Sequence, residues 1–156
     1  MRRTDREISD VEKIKEILNR STYLHLALSD GEYPYVLPLN FGYEFQGKTL
    51  ALYIHGATEG KKWELLRKDP HVSFALECGV VPVSGGEIPC KYGARYASVM
   101  GRGMAAVVED GAEKRHALEV LMKHQTGKDF AITEEMADTV TVMKVNVEAF
   151  TGKSRV

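Results

Sequence analysis

The sequence has 156 residues, of which 44% are hydrophobic and 28% are charged, a size and composition that predict a single domain spanning 1–156. The 21 basic and 22 acidic side chains give a formal net charge of −1, which argues against nucleic-acid binding because that function needs a basic surface. No apolar run approaches the ~20 residues of a membrane span, and the charged segment Met1–Glu7 lacks the apolar core of a signal peptide, so no membrane association and a cytoplasmic location are predicted.

The first half of the chain is predicted to form a helix, three strands and a second helix. A capping box at Ser9–Glu12 begins the first helix. The alternating segment Thr22–Leu28 is the first strand, and Tyr35–Tyr43 and Thr49–His55 are the next two. The turns Asp30–Gly31 and Gln46–Gly47 between them are short, which predicts antiparallel pairing. Thr58 is the predicted N-cap of the second helix, and Asp69–Pro70 ends it.

The second half is predicted to contain three more strands, one helix and a loop. The strands span His71–Glu77, Arg95–Glu109 and Thr139–Phe150. The segment Gly79–Pro89 is rich in glycine and proline and is predicted to be a loop, and 112–124 a helix. Six strands with few helices predict a mainly β (α+β) chain, arranged as a small barrel or closed sheet.

The junction between the third strand and the second helix is the strongest local signal for a binding site. Gly56 and Ala57 are small and let a ligand approach the backbone, and Lys61 and Lys62 lie in the first turn of the helix. Free amides and the positive end of the helix dipole attract anions there, whereas cationic side chains are unfavourable. The pattern predicts a phosphate site. The alternative is a solvated lysine pair, because the dipole penalty is only ~0.3–1 kcal/mol.

A second signal is the proline in the strand Tyr35–Tyr43. Pro38 cannot donate to a β-ladder, which predicts an edge strand or a strand that faces a ligand. A planar heteroaromatic ring would then lie against Val36 and Leu37, and Asn40 offers both a donor and an acceptor. The alternative is an edge strand with a bulge.

A third signal lies in the strand that contains Ser98, followed by Gly101 and Gly103. Ser98 is predicted to contact a ring or a ribityl chain. The alternative is a barrel strand with a glycine bend.

His55 is the candidate catalytic residue, because it ends the third strand beside the predicted phosphate site and titrates near neutral pH. The alternative is a histidine that is hydrogen-bonded at a strand end. Cys78 and Cys90 form no CxxC motif and are predicted to be reduced thiols, and no histidine or cysteine pair has the spacing of a zinc site, so no metal is predicted.

Together and in this order, the segments resemble the pyridoxamine-phosphate-oxidase-like flavin-binding split barrels, and within them the nitroimidazole-resistance (Nim-type) proteins. The resemblance covers nearly the whole chain. The segments that carry it are Asp5–Ile8, Pro34–Tyr43, Tyr53–Ala57 with Gly60–Lys62, Asp69–Phe74, Tyr96–Val99 with Gly101–Gly103, and Thr151–Lys153.

This resemblance implies a homodimer of six-stranded antiparallel split β-barrels with a few flanking helices and a flavin at the interface. The phosphate of FMN would be held by Lys61 and Lys62, and Thr151 and Lys153 would reach the flavin bound mainly by the other subunit. FAD is an alternative cofactor, because a pocket that is open to solvent at the phosphate would admit its adenylate group. The implied cofactor-binding residues are Val36, Leu37, Pro38, Asn40, His55, Ala57, Lys61, Lys62, Ser98, Thr151 and Lys153.

The implied function is an FMN-binding oxidoreductase that reduces a small substrate, for which a nitroaromatic such as a 5-nitroimidazole is a candidate. No Rossmann GxGxxG motif is present, so NAD(P)H would dock only transiently. Two alternatives remain: a flavin-binding or redox-sensing protein without turnover, and a haem-binding split barrel with His55 or His25 as the axial ligand. The chain lacks the C-terminal substrate segment of the true oxidases, which argues against vitamin B6 oxidation.

Overall fold

The structure is a computed structural model, and it describes residues 3–155. It contains eight strands in one antiparallel sheet and four α-helices, which confirms the predicted mainly β (α+β) class. The strands are β1 Glu7–Ile8, β2 Tyr23–Leu28, β3 Tyr35–Asn40, β4 Gly42–Gln46, β5 Thr49–Gly56, β6 His71–Val83, β7 Gly93–Val107 and β8 Thr141–Arg155. The helices are α1 Val11–Arg20, α2 Lys61–Lys68, α3 Gly111–Thr126 and α4 Glu134–Asp138.

The sheet has the strand order β3-β2-β6-β7-β8-β5-β4, with β1 paired to β8. The strand count of six is therefore corrected to eight, because β1 is added and the predicted strand Tyr35–Tyr43 is divided at the buried Phe41. β3 pairs with β2, whereas β4 pairs with β5. The edge strands β3 and β4 are therefore connected along the chain by Phe41 alone, yet within residues 3–155 no hydrogen-bonded ladder pairs them. The sheet is a barrel that stays split between β3 and β4.

Two hydrophobic cores hold the sheet. In β2, Leu24, Leu26 and Leu28 point into the barrel and are at most 1% exposed, as the alternation predicts. The barrel core also includes Trp63 of α2. A smaller core lies between β5 and the helices α3 and α4, around Tyr53. None of the helices in residues 3–155 is both long and apolar enough to span a bilayer.

Helix starts differ from the sequence prediction. Asp10, not Ser9, is the N-cap of α1, and its carboxylate accepts a hydrogen bond from the Glu12 amide at 3.0 Å. Thr58 is not the N-cap of α2; this position is occupied by Gly60, with φ +134°. Aspartate and glycine both serve as N-caps, so the local sequence offered more than one start for each helix.

The segment Gly79–Pro89 is not a loop throughout. β6 continues to Val83 and pairs with β7 after a register shift between Cys78 and Val81. Gly79, whose φ is +62°, lies in a β-bulge, and the pairing with β7 resumes after it. The glycine and proline content predicted a loop because the sequence alone does not reveal that β7 is long enough to pair with this segment.

Candidate functional site

The turn between β5 and α2 leaves the first turn of the helix open. Gly60 precedes Lys61, the first helical residue, and no side chain caps the helix. The Trp63 amide donates to the carbonyl oxygen of Gly60 at 3.0 Å, which leaves the amides of Lys61 and Lys62 without an intrahelical or side-chain partner in the described residues. The turn itself is fixed by Trp63, whose indole Nε1 donates to the carbonyl oxygen of Ala57 at 2.7 Å.

Lys62 folds back over this turn. A Cβ placed on Gly56 would lie 2.6 Å from Nζ of Lys62, so the close approach of the ammonium requires a glycine there. Nζ also lies 4.8 Å from the centroid of the Trp63 ring. Lys62 is partly buried and forms no ion pair with any residue in 3–155. Burial lowers the pKa of Lys62, and no carboxylate compensates for the lost hydration.

Lys61 has a different environment, although it is adjacent in sequence. Its Nζ forms an ion pair with Oδ2 of Asp30 at 2.5 Å and lies 5.0 Å from the centroid of the Tyr35 ring. The hydrogen bond to Asp30 raises the pKa of Lys61. These contacts bring the start of β3 next to the start of α2, so the predicted ring and phosphate segments are neighbours in the fold.

His55 lies partly buried at the end of β5, and its Nδ1 has no hydrogen-bond partner within the described part of the chain. Burial, and then the positive charge of Lys62, lower the pKa of His55. The imidazole is therefore neutral at neutral pH. A buried polar atom without a partner costs free energy, so a ligand that pairs with Nδ1 would stabilise this site.

Most of the other predicted residues lie on one surface, which we call the outer sheet face. It consists of the side chains of β2, β3, β6, β7 and of β8 from Ala149 onward that point away from the barrel core. The strand register places five of these outward side chains in one row across the sheet: Pro38, His25, Ala75, Met100 and Thr151. The neighbouring row is Val36, Ala27, Ser73, Arg102 and Ala149. Ser98 pairs with Lys153 on the other side of the first row.

The structure limits which atoms of two predicted residues on β3 are available to a ligand. The side chain of Leu37 packs against the barrel core, opposite to Val36 and Pro38, so only its backbone is available to a ligand on the outer sheet face. Asn40 points outward, but its Nδ2 donates to the carbonyl oxygen of Thr22 and to Oε1 of Gln125, both at 3.1 Å. Its donors are therefore used within the chain, and only Oδ1 remains as an acceptor.

The predicted residues fall into two groups within one chain. His55, Ala57, Lys61 and Lys62 lie together, next to the start of β3. Ser98, Thr151 and Lys153 lie on β7 and β8, three and four strands away from β3, or roughly 14–19 Å at ~4.8 Å per strand. His55 pairs with Val142, eleven residues before Lys153 on β8.

A polar network beside His55 was missed by the sequence analysis. Tyr53 shares a face of β5 with His55, and its hydroxyl donates to Oε1 of Glu44 at 2.5 Å. Oε2 of Glu44 lies 2.9 Å from Nε2 of His116. Burial and the hydrogen bond to Glu44 raise the pKa of Tyr53. Strand alternation could have placed Tyr53 beside His55, but the contacts with β4 and α3 depend on tertiary packing.

The family model described as pyridoxamine 5'-phosphate oxidase matches residues 10–154, so the chain belongs to this family, as predicted. A solved structure of a candidate 5-nitroimidazole antibiotic resistance protein from Bacteroides thetaiotaomicron is 36% identical and superimposes with a TM-score of 0.79, covering 95% of this chain and 86% of that one. This match confirms the predicted resemblance to the Nim-type proteins.

More distant structures share the fold. A flavocytochrome from Azotobacter vinelandii is 18% identical, with a TM-score of 0.78 over 100% of this chain and 72% of that one. A FAD-binding protein from Mesorhizobium loti is 23% identical, with a TM-score of 0.65 over 97% of this chain and 98% of that one. No curated protein matches the chain significantly.

Proposed function

We propose that this protein binds FMN and acts as a flavin-dependent oxidoreductase. The observation that carries the proposal is the partly buried, unpaired ammonium of Lys62 beside the uncapped start of α2. A terminal phosphate is a dianion with three acceptor oxygens, so it would satisfy both the ammonium and the free amides. Lys61 would add charge from the rim, because it is exposed and already paired with Asp30.

The residues around the phosphate site fit a planar ring. Val36 and Pro38 present an apolar surface on the edge strand β3, and Val36 is 54% exposed. The unpaired Nδ1 of His55 fits a hydrogen-bonding group of the ring or of a substrate placed on it. The flavin would supply the electron transfer to the substrate. The chain would hold the ring and exclude water, and neutral His55 would orient the substrate through a hydrogen bond.

We propose that two copies of the chain complete the site. The outer sheet face carries exposed apolar side chains such as Met100, and an exposed apolar sheet face favours association. Thr151 and Lys153 lie nine and eleven residues along β8 from Val142, the partner of His55, or roughly 30–36 Å of strand at ~3.3 Å per residue. In a homodimer they would reach the flavin bound mainly by the partner.

A small nitroaromatic, of which a 5-nitroimidazole is the example, is the proposed substrate. The support is the 36% identity to the candidate 5-nitroimidazole antibiotic resistance protein, together with the neutral His55 beside the proposed ring position. A nicotinamide would dock on the flavin transiently and supply the electrons.

The test follows the absorbance of bound flavin under anaerobic conditions. NADH or NADPH should bleach it, a 5-nitroimidazole should restore it, and His55→Ala should retain flavin but slow the second step. A nitroimidazole that leaves the bleached flavin unchanged would contradict the substrate class. A flavin that no donor reduces would contradict the enzymatic function and favour a flavin store or redox sensor.

A further inference from the structure

A cavity away from His55 and Lys62 is lined by three arginines; we call it the arginine pocket. It has a volume of about 250 Å³ and lies between α1, the bulge of β6 and the paired ends of β7 and β8. The arginines are Arg20, Arg95 and Arg155. We propose that the arginine pocket binds a phosphate group of a small molecule, as an oxyanion site in addition to the one at Lys62.

The backbone makes room for two of these side chains at glycines. Gly79 lies in the β6 bulge, and a Cβ placed there would lie 2.7 Å from Nη2 of Arg20. A Cβ on Gly93 would collide with the guanidinium of Arg155, whose Cζ would be 3.0 Å away. Both guanidinium groups therefore lie close to backbone, Arg155 partly buried and Arg20 exposed to solvent and so accessible to a ligand.

Charge gives the ligand class. Arginine stays protonated at any physiological pH, so the pocket holds three positive charges in a chain whose formal net charge is −1. None of the three arginines forms an ion pair with a residue in 3–155. Like charges that line one cavity repel, and a multiply charged anion reduces that repulsion. The planar guanidinium fork matches phosphate oxygens two at a time, which favours phosphate.

Within one chain, the arginine pocket is separate from His55 and Lys62, although Arg155 lies two residues after Lys153, which the proposed homodimer brings to the partner's flavin. Arg155 lies at the end of β8, thirteen residues after Val142, the partner of His55. At ~3.3 Å per residue this is roughly 40 Å of strand. Other unpaired arginines exist, for example Arg115 on α3, which does not line this cavity and serves as a control.

Calorimetric titration with pyrophosphate tests the proposal, with sodium chloride keeping the ionic strength constant. The Lys62→Met protein, in which the first phosphate site is removed, should show saturable binding. In that background Arg20→Gln should weaken it about tenfold or more, and Arg115→Gln should leave it within about twofold. No saturable binding, or an equal loss in both arginine variants, would overturn the site. Tighter binding of acetate than of phosphate would overturn the ligand class.

The two cysteines provide a readout that needs no variant. Cys78 lines the arginine pocket, whereas Cys90 is exposed and outside it. Pyrophosphate should slow the alkylation of Cys78 several-fold, measured by mass spectrometry, without changing the rate at Cys90. Equal rates with and without pyrophosphate at Cys78 would count against binding in this pocket.

Discussion

Lys61 and Lys62 are adjacent in the sequence, yet the fold gives them different electrostatic environments. Lys61 is exposed and paired with Asp30, so its charge is already compensated. Lys62 is partly buried over Gly56 and forms no ion pair within residues 3–155. The charge that most needs an anion is therefore that of Lys62, which the sequence pattern did not distinguish from its neighbour.

The first prediction compares Lys62→Met with Lys61→Met. A charged hydrogen bond contributes about 1.5–3 kcal/mol, so Lys62→Met should weaken FMN about ten- to a hundredfold, while Lys61→Met should weaken it only about threefold. Riboflavin, which has no phosphate, should bind both variants nearly as well as the wild type. Fluorescence titration measures all three affinities. Equal losses for FMN and riboflavin would contradict the phosphate contact.

The second prediction concerns the pH dependence of stability. Burial lowers the pKa of both His55 and His124 below the ordinary value of 6.5. The unfolded state then takes up protons before the folded state does, so the free energy of unfolding should decrease as the pH falls below about 6.5. Replacing either histidine should therefore make the free energy of unfolding decrease less as the pH falls.

Urea denaturation between pH 8 and pH 5 measures this effect. His55→Gln and His124→Gln should each show a shallower loss of stability than the wild type, and the double variant the shallowest. A His55→Gln curve parallel to that of the wild type would show that His55 is not desolvated in the folded state.

At the scale of the elements, the contact between β4 and α3 depends on a glycine. A Cβ on Gly42 would lie 2.7 Å from the backbone nitrogen of Leu121, and the helix backbone is not free to move aside locally. Gly42→Ala should therefore lower the free energy of unfolding by about 1–3 kcal/mol, because it overpacks this contact. This is the third prediction.

Gly111→Ala is the matched control for Gly42→Ala. Gly111 opens α3, and a Cβ there would have no neighbour closer than 3.6 Å. Alanine should therefore leave stability unchanged or raise it by up to about 1 kcal/mol. Equal destabilisation by both substitutions in thermal denaturation would contradict the tight contact between β4 and α3.

Local sequence patterns predicted the positions of the strands and helices better than they predicted which strands pair with each other. Sequence patterns identified β2 and β5 to within a residue at each end. β2 alternates because it buries one face, whereas β5 follows a turn and buries both faces. The break between β3 and β4 at Phe41 was not predictable, because the residue pattern of the segment does not change there. The two strands differ only in their partners, since β3 pairs with β2 and β4 pairs with β5. The same holds for the site. The sequence predicted His55 and Lys62 together because they lie in one local segment, whereas the ion pair between Asp30 and Lys61 joins distant segments and could be seen only in the fold.

For the whole molecule, the outer sheet face is the feature that separates a single chain from the proposed homodimer. Val36 and Met100 are 54% and 59% exposed on it. Thr151 and Lys153 border the same surface. A second copy covering it would bury the apolar side chains and bring both residues to the partner's flavin.

The fourth prediction is that Met100→Glu converts a dimer into a monomer and also reduces flavin content, because it places a charge at the centre of the proposed interface. Ile88→Glu is the control, since Ile88 is 43% exposed but lies in the segment between β6 and β7. Light scattering after size exclusion gives the mass, and flavin absorbance gives the occupancy. A wild-type chain that is monomeric with full flavin would contradict the shared site.

The most direct test of the proposed function is the absorption spectrum of the purified protein, followed by identification of the chromophore released on denaturation. The proposed function predicts a yellow protein with two bands in the blue and near-ultraviolet, and released FMN. A protein isolated without chromophore should take up FMN and then show the same bands. A Soret band from haem, or a colourless protein that does not bind added FMN, would contradict it.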